Sequence, residues 1–307
     1  DGWTMPLVRG YAMYGNIAQR NHLAHLIWLG IASLTWLCWS GHIRIVIGLT
    51  TLAIFMLIAP YTGSRSVYLY PSGFLLLTAV IWPKISALSG ARRILKFCIL
   101  LLPATLLFNL LSAYLPAPVV EIGPSSAESL FFSTQEAGSI SIRRAFWRVG
   151  LAATADAPWL GNGPGSVPLT SLEHAEAGLY DGPMQISEHY HNVVVNWLAE
   201  FGIPVTLAAL VILAWWLVGV WRGTLTAERW WLLAMLSVTG IHSMLEYPLW
   251  YTYFLAPTAL LLGAFSPHGP VFRLTRLTRP ALLVAGVMAV FMLNTLRHDY
   301  QGLARVY

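Results

Sequence analysis

The sequence predicts an all-α fold, a polytopic transmembrane helix bundle with one large extramembrane loop. Three observations predict it. The chain is 57% hydrophobic and only 10% charged, with a mean hydropathy of +0.63, whereas a soluble domain carries roughly a quarter of its residues as charges. Apolar runs close to the ~20 residues needed to span a bilayer recur along it. The basic residues, finally, concentrate in alternate connections between those runs.

About eight spans are expected, near 22–39, 43–60, 67–83, 97–115, 192–221, 230–245, 249–265 and 280–296. The sixth and seventh are separated only by Glu246-Tyr247-Pro248. This divides the chain into a four-span part (1–115), a large loop (116–190) and a second four-span part (191–307). The chain opens at Asp1 without an initiator methionine or signal peptide, which reads as an internal piece of a longer protein.

One set of connections carries Arg44, Lys84, Arg92, Arg93, Lys96, Arg222, Arg229, Arg273, Arg276 and Arg279, which is 10 of the 18 Lys and Arg, with Glu228 as its one acid. The positive-inside rule assigns that set to the cytoplasm. Both termini, the Tyr61–Ser66 turn, the 116–190 loop and the 246–248 turn then lie outside. The outer segments collect Gln19, Asn21, His22, Arg65, Arg143, Arg144, Arg148, His189, His191 and Glu246. Net charge +5 therefore reads as topology, and no nucleic-acid partner is expected. Cys38 and Cys98 both lie in apolar runs and suggest neither a disulfide framework nor a metal cluster.

The outer loop is too long for a mere connector. Within it, Ser139–Ala155 reads as an amphipathic helix, with Ile142, Ala145, Phe146 and Val149 on one face and Arg144 and Arg148 opposite. Pro158 follows the helix end, and Gly161-Asn162-Gly163-Pro164-Gly165 is turn-rich. The fifth apolar run, at thirty residues, would reach roughly 45 Å as one helix, longer than the hydrocarbon core. Gly202-Ile203-Pro204 breaks it, so 192–201 is expected as a short surface helix and 204–221 as the span proper.

The chemistry is expected at the junction Glu188-His189-Tyr190-His191-Asn192. From there Asn192, Asn196 and Glu200 form a polar stripe on an apolar cylinder. His191 has the chemistry of a general base, though a helix-start histidine that anchors the loop fits the spacing better. A metal set of Glu188, His189 and His191, with His174, is disfavoured, because a His-x-His pair shares a face only in an extended segment. Arg65, in the Thr62–Ser66 turn, fits either a bidentate diphosphate contact or snorkelling to headgroups. Arg144 and Arg148 fit a phosphate clamp or, more simply, a solvated helix face. The Gly161–Gly165 loop lacks the Gly-Lys-Ser/Thr ending of a nucleotide loop and reads as a tight turn. His242 and Glu246, four apart, are expected to pair through a structural hydrogen bond.

Taken in order, several stretches resemble one family. They are Gly15-Asn16-Ile17-Ala18-Gln19-Arg20-Asn21-His22, Ser64-Arg65, Arg144-Ala145-Phe146-Trp147 and Pro158-Trp159-Leu160-Gly161-Asn162-Gly163-Pro164-Gly165, then His191-Asn192 with Glu200-Phe201-Gly202, and Glu246-Tyr247-Pro248-Leu249-Trp250-Tyr251. The chain resembles the O-antigen ligase/polymerase superfamily of bacterial inner-membrane glycosyltransferases. Within it, the chain is most similar to the protein O-oligosaccharyltransferases of the PglL type, which glycosylate pilins and other periplasmic proteins.

That resemblance implies that His191 activates the acceptor hydroxyl, with His189 as a possible substitute. It implies that Arg65 and Arg144, with Arg148 on the same helix, hold the diphosphate of an undecaprenyl-linked oligosaccharide. Gln19 and Tyr251 or Tyr247 would be further polar residues of the protein-glycosylating branch, with Asn21, Asn192, Glu200 and Glu246 in support. The expected reaction is a metal-independent, inverting transfer without cofactor, at the periplasmic face of the inner membrane. The acceptor is Ser/Thr of a pilin-like protein, or lipid A–core in a ligase; repeat-unit polymerisation is the related alternative. A transporter or a lipid-binding membrane scaffold is the reading of another class. Transporters, however, place charges near the bilayer midplane, and here they collect at one surface.

Overall fold

The computed structural model describes residues 19–112, 134–176 and 187–266, with scattered helical positions from 280 to 288. Most of the predicted eighth span, the start of the Gly15–His22 stretch and parts of the 116–190 loop lie outside the described residues. Contacts divide the chain into two units, Pro6–Pro267 and a smaller one of Asp1–Met5 with His268–Tyr307.

The helices of the larger unit are α1 (Arg20–Trp39), α2 (Ile45–Ile58), α3 (Ser66–Ile85), α4 (Ala91–Ser112), α5 (Thr134–Asp156), α6 (Val167–Glu176), α7 (Val193–Arg222), α8 (Ala227–Ser243) and α9 (Thr252–Ala264). No strand occurs among the described residues. Among the described residues, five segments are long and apolar enough to cross a membrane: α1, α2 with its short 3-10 extension to Thr62, α3, α4 and α7. The predicted sixth and seventh spans form helices of only 17 and 13 residues, because the chain leaves the helix at Ser243 and re-enters it only at Thr252. Two prolines, Pro71 and Pro83, sit inside α3 without ending it.

Helices α1, α3, α4 and α8 enclose the main core, where Trp28, Ile31, Tyr70, Phe74, Ile94 and Trp230 are almost fully buried. Several polar side chains buried among them find partners close by, although the Trp28 indole nitrogen does not. The Trp230 indole donates to Thr78 Oγ1 at 3.0 Å, and Thr105 and Asn109 bond to carbonyls one turn back. The outer faces of α2, α4 and α7 stay bare, with Val46, Leu100 and Val211 all more than 60% exposed, as lipid-facing surfaces should be when hydrocarbon replaces water.

The cationic connections meet at one end of the bundle. Lys84 Nζ donates to the Trp221 carbonyl at 2.6 Å, and Arg229 reaches the Val220 carbonyl at 3.5 Å. Both satisfy orphan acceptors at the C-terminus of α7, where a cation also suits the helix dipole.

The amphipathic helix is present and longer than expected, Thr134–Asp156. Its face of Ala145, Phe146 and Val149 is buried, while Arg144 and Arg148 are exposed. It packs on α7 around a small satellite core with Val167, Tyr190 and Ala199. Helix α6 was missed by the pattern; Ser166 before Val167-Pro168 is the start signal that could have revealed it.

The predicted break in the fifth run is real. Gly202 has φ +77 and ψ 175, so α7 is two helical pieces joined at a kink. A Cβ there would come within 2.6 Å of the Trp159 carbonyl oxygen, and an L side chain resists that backbone region. Gly202→Ala should therefore lower stability by about 1–3 kcal/mol, read as a reduced melting temperature in detergent. Gly240→Ala, inside α8 with nothing within 4 Å of a new Cβ, should leave it unchanged or slightly raised.

Candidate functional site

Four separate segments converge at the end of the bundle opposite the cationic connections. Asn192 caps α7, its side chain accepting from Val194 and Val195 N–H at 3.0 and 3.2 Å. That cap holds the preceding residue, His191, at the helix mouth. His191 is the sole non-glycine among the described residues with positive φ, +51; histidine tolerates that region better than most residues, yet it remains uncommon. The turn rotates its ring toward Glu246, in the break between α8 and α9.

Glu246 is the hub. It is 6% exposed, and its two oxygens are divided between partners. Oε1 accepts from Asn21 Nδ2 at 2.9 Å and from Arg143 Nη2 at 2.9 Å. Oε2 lies 2.9 Å from His191 Nδ1. In the neutral ring, a proton on Nδ1 facing this carboxylate leaves Nε2 as the basic lone pair. Phe146 stacks on the His191 ring at 5.4 Å, which further limits its rotation. Burial alone would raise the Glu246 pKa, but the hydrogen bond and charge of His191, aided by Arg143, outweigh it and hold the carboxyl at about 2.

The His189 ring sits 4.3 Å from His191, edge to face. A His-x-His pair is expected to share a face only in an extended segment, yet here the left-handed backbone at His191 accompanies the close approach of the two rings. Burial, and then repulsion from His191, push the His189 imidazole down to about 4, so it is neutral near pH 7. His189, His191 and Glu246 each offer a ligand atom within 4.8 Å of the others, the group among the described residues that could hold a metal. Glu188 and His174 do not join it, and His174 instead pairs with Asp156 at 3.0 Å.

A cavity of about 610 Å³ opens beside Glu246, lined by Asn21, Ser64, Arg65, Tyr68 and Arg143 among others. Leu102 and Leu106 add apolar lining to it. Gly63, at φ +62, turns the chain so that Ser64-Arg65 enters this space. Arg65 lines this cavity, and the cation that α5 contributes to it is Arg143. Arg144 and Arg148 lie on the exposed face of the helix and are not among the cavity's lining residues.

Other residues singled out in the sequence have structural duties. Gln19 caps α1 by accepting from His22 N–H at 2.6 Å. Glu200 does not face His191; it accepts from Gly165 N–H at 2.8 Å and Asn196 Nδ2 at 2.9 Å, fixing the glycine-rich loop. Tyr247 is buried with its ring 6.0 Å from that of His189, and Tyr251 packs edge-on against His22 at 4.6 Å. The expected His242–Glu246 hydrogen bond is replaced. His242 Nδ1 instead meets the Tyr70 hydroxyl at 2.7 Å, because α8 ends at Ser243 and Glu246 turns away from the helix face.

The sequence profile of the O-Antigen ligase family matches residues 49–210, more than half of the chain. The chain belongs to that family. Two further profiles match its flanks: a Protein glycosylation ligase profile over residues 13–38 and the C-terminal part of a Virulence factor membrane-bound polymerase over 230–307. The General O-oligosaccharyltransferase of Acinetobacter baylyi is 26% identical over 164 residues, covering 52% of this chain and 27% of that relative. The match thus spans about a quarter of the relative's length. No solved structure matches the chain. This member of the O-antigen ligase family is a multi-pass membrane protein, and the hub draws on all three matched regions: Asn21 from the first, Arg143 and His191 from the second, and Glu246 from the third.

The pKa of Glu246 sets an acid limit. Its folded value, about 2, lies below the ordinary 4.5, so the stabilisation is complete above pH 4.5 and is lost as pH falls toward 2. His189, at about 4 against 6.5, has the same sign, with loss beginning below pH 6.5. The melting temperature in detergent should fall across both windows, and Glu246→Gln should lower it at pH 7 while flattening the lower step.

Proposed function

We propose that the full-length protein is a glycosyltransferase of the bacterial inner membrane that moves an oligosaccharide from an undecaprenyl-diphosphate donor to a Ser/Thr hydroxyl of a periplasmic, pilin-like protein. The observation that carries the proposal is the Glu246 hub, which joins an oriented imidazole to a cavity holding the Arg65 and Arg143 side chains. The protein-glycosylation profile at the N-terminus and the O-oligosaccharyltransferase relative favour the protein acceptor. The longer O-Antigen ligase match supports a second reading, transfer to lipid A–core.

In this reading His191 Nε2 takes the proton of the acceptor hydroxyl as its oxygen attacks the anomeric carbon. The bond from that carbon to the diphosphate oxygen breaks on the opposite side, with inversion, and undecaprenyl diphosphate leaves. Glu246 stabilises the imidazolium that forms. Arg65 and Arg143 neutralise the charge growing on the diphosphate, the interaction that usually contributes most to such a barrier. The leaving group is already activated, so no nucleotide is needed, and with two guanidiniums no metal is required. Arg144 and Arg148, solvent-exposed on α5, would act on a donor or acceptor only from outside the cavity. The division into 1–115, 116–190 and 191–307 would then separate donor-facing helices, loop and base-bearing helices, with the site on the periplasmic side as the charge sorting of the loops suggests.

The test uses membranes with the full-length protein, a lipid-linked oligosaccharide and two competing acceptors, a pilin-like protein and lipid A–core. Sugar should appear on the protein, and His191→Ala should lower kcat by about 10²–10⁴-fold while His189→Ala costs much less. Sugar on lipid A–core alone would move the protein to the ligase reading. A folded, fully active His191→Ala protein would end this mechanism altogether.

A further inference from the structure

Trp159 and Leu160 are the most exposed large apolar side chains among the described residues, at 74% and 85%. They stand in the turn between α5 and α6, where the chain is otherwise small and polar. The turn is firmly held. Ile203 N–H donates to the Pro158 carbonyl at 2.8 Å, and Asn162 and Gly163 N–H donate to the Ala199 and Glu200 carbonyls at 2.8 and 3.0 Å. The Asn162 side chain adds bonds to the Ala153 and Ala199 carbonyls. Gly161, at φ +69, is required because a Cβ would sit 2.3 Å from the Glu200 carbonyl carbon. Two exposed apolar residues on so rigid a turn are presented rather than merely left outside.

The turn is clasped to α7 at its kink. Before Gly202, α7 packs under α5 with Ala199 and Glu200 buried. After it, Ile203, Val205, Leu207 and Val211 are 39–64% exposed along a spanning segment. A shallow apolar groove lined by Trp197, Phe201 and Val205 lies alongside. The turn is therefore fixed at the level where the lipid-facing surface begins, which is where tryptophan is favoured at a membrane–water boundary.

From the same turn a chain of hydrogen bonds leads toward the hub. Gly165 N–H donates to Glu200 Oε1, Asn196 Nδ2 donates to Glu200 Oε2, and Asn196 Oδ1 accepts from Tyr190 N–H at 3.1 Å. Tyr190 stands between His189 and His191.

We propose that Trp159 and Leu160 insert into the lipid interface beside the kink of α7, and that this anchored turn, acting through Glu200 and Asn196, fixes the height of the His189–His191 segment above the membrane. The partner is the lipid surface itself. The first half is independent of any reaction; the second rests on the role proposed for His191. Trp159 and Leu160 are positioning residues, remote from the reacting atoms, and the base would be matched in height to a diphosphate that the donor's lipid tail holds at the same interface.

Two measurements test this in the full-length protein reconstituted in lipid nanodiscs. A polarity-sensitive fluorophore on Leu160→Cys, in a background with the other cysteines replaced, should be quenched by lipids bearing a nitroxide high on the acyl chain and protected from aqueous iodide. The same label on Glu188→Cys, an exposed loop position, should behave oppositely. Equal iodide quenching at both positions, without lipid quenching at 160, would overturn the anchor. For the coupling, Trp159→Ser/Leu160→Ser with an unchanged melting temperature should lose roughly tenfold in kcat with little change in donor KM, and Trp159→Phe should retain turnover. Unchanged turnover in the double variant would overturn the coupling, whereas failure of the His191 reading would show separately, as full activity in His191→Ala.

Discussion

The arrangement at the polar end of the bundle depends on the Glu246 carboxylate, which is buried with Asn21, Arg143 and His191 around it. These partners come from α1, from α5 and from the segment before α7, elements with no sequence continuity. A buried charge is tolerated only when paired and hydrogen-bonded, and removing one partner of such a pair typically costs about 3–5 kcal/mol. The pairing therefore acts in two ways. It gives the amphipathic outer helix a fixed seat on the membrane bundle, and it sets the tautomer and direction of the His191 ring. A group that holds the fold and orients the proposed base would couple stability to chemistry at one place.

A second constraint is the close approach of backbone to backbone at Gly161 and Gly202. Each has positive φ, and a Cβ at either would collide with main-chain atoms of the other segment. Together they let the turn after α5 lock onto the kink of α7. The polar stripe of that helix is used up in the lock. Asn192 caps, Asn196 and Glu200 tie down the loops, and His191, just before the cap, is left to meet Glu246. Amides and a carboxylate on an apolar helix, normally a sign of chemistry, here hold the loops that flank it.

Much of this was legible in the sequence because it rests on local rules. Apolar run length gave α1 to α4 and α7, the i, i+3, i+4 face of Ala145, Phe146 and Val149 gave the amphipathic helix, and Gly202-Ile203-Pro204 gave the kink. The charge sorting correctly grouped Asn21, Arg65, His191 and Glu246 at one end. What stayed hidden was set by long-range geometry. Arg143, rather than Arg144, meets Glu246, and one helical residue is a turn of about 100°; no local pattern says which arginine faces a carboxylate 103 positions away. The His242–Glu246 pairing failed because an i, i+4 argument assumes a continuous helix, and α8 stops first. The His189–His191 approach required a left-handed backbone that a histidine does not announce.

The most direct test of the central claim is a double-mutant cycle between Glu246 and His191, read as kcat of the folded full-length protein on its lipid-linked donor. If Glu246 acts through the His191 ring, Glu246→Gln should slow turnover markedly in the parent and hardly further once His191 is alanine, so the two losses are strongly non-additive. Losses that multiply independently would mean that the carboxylate serves the reaction without the histidine, and the hub described here would not be the catalytic unit.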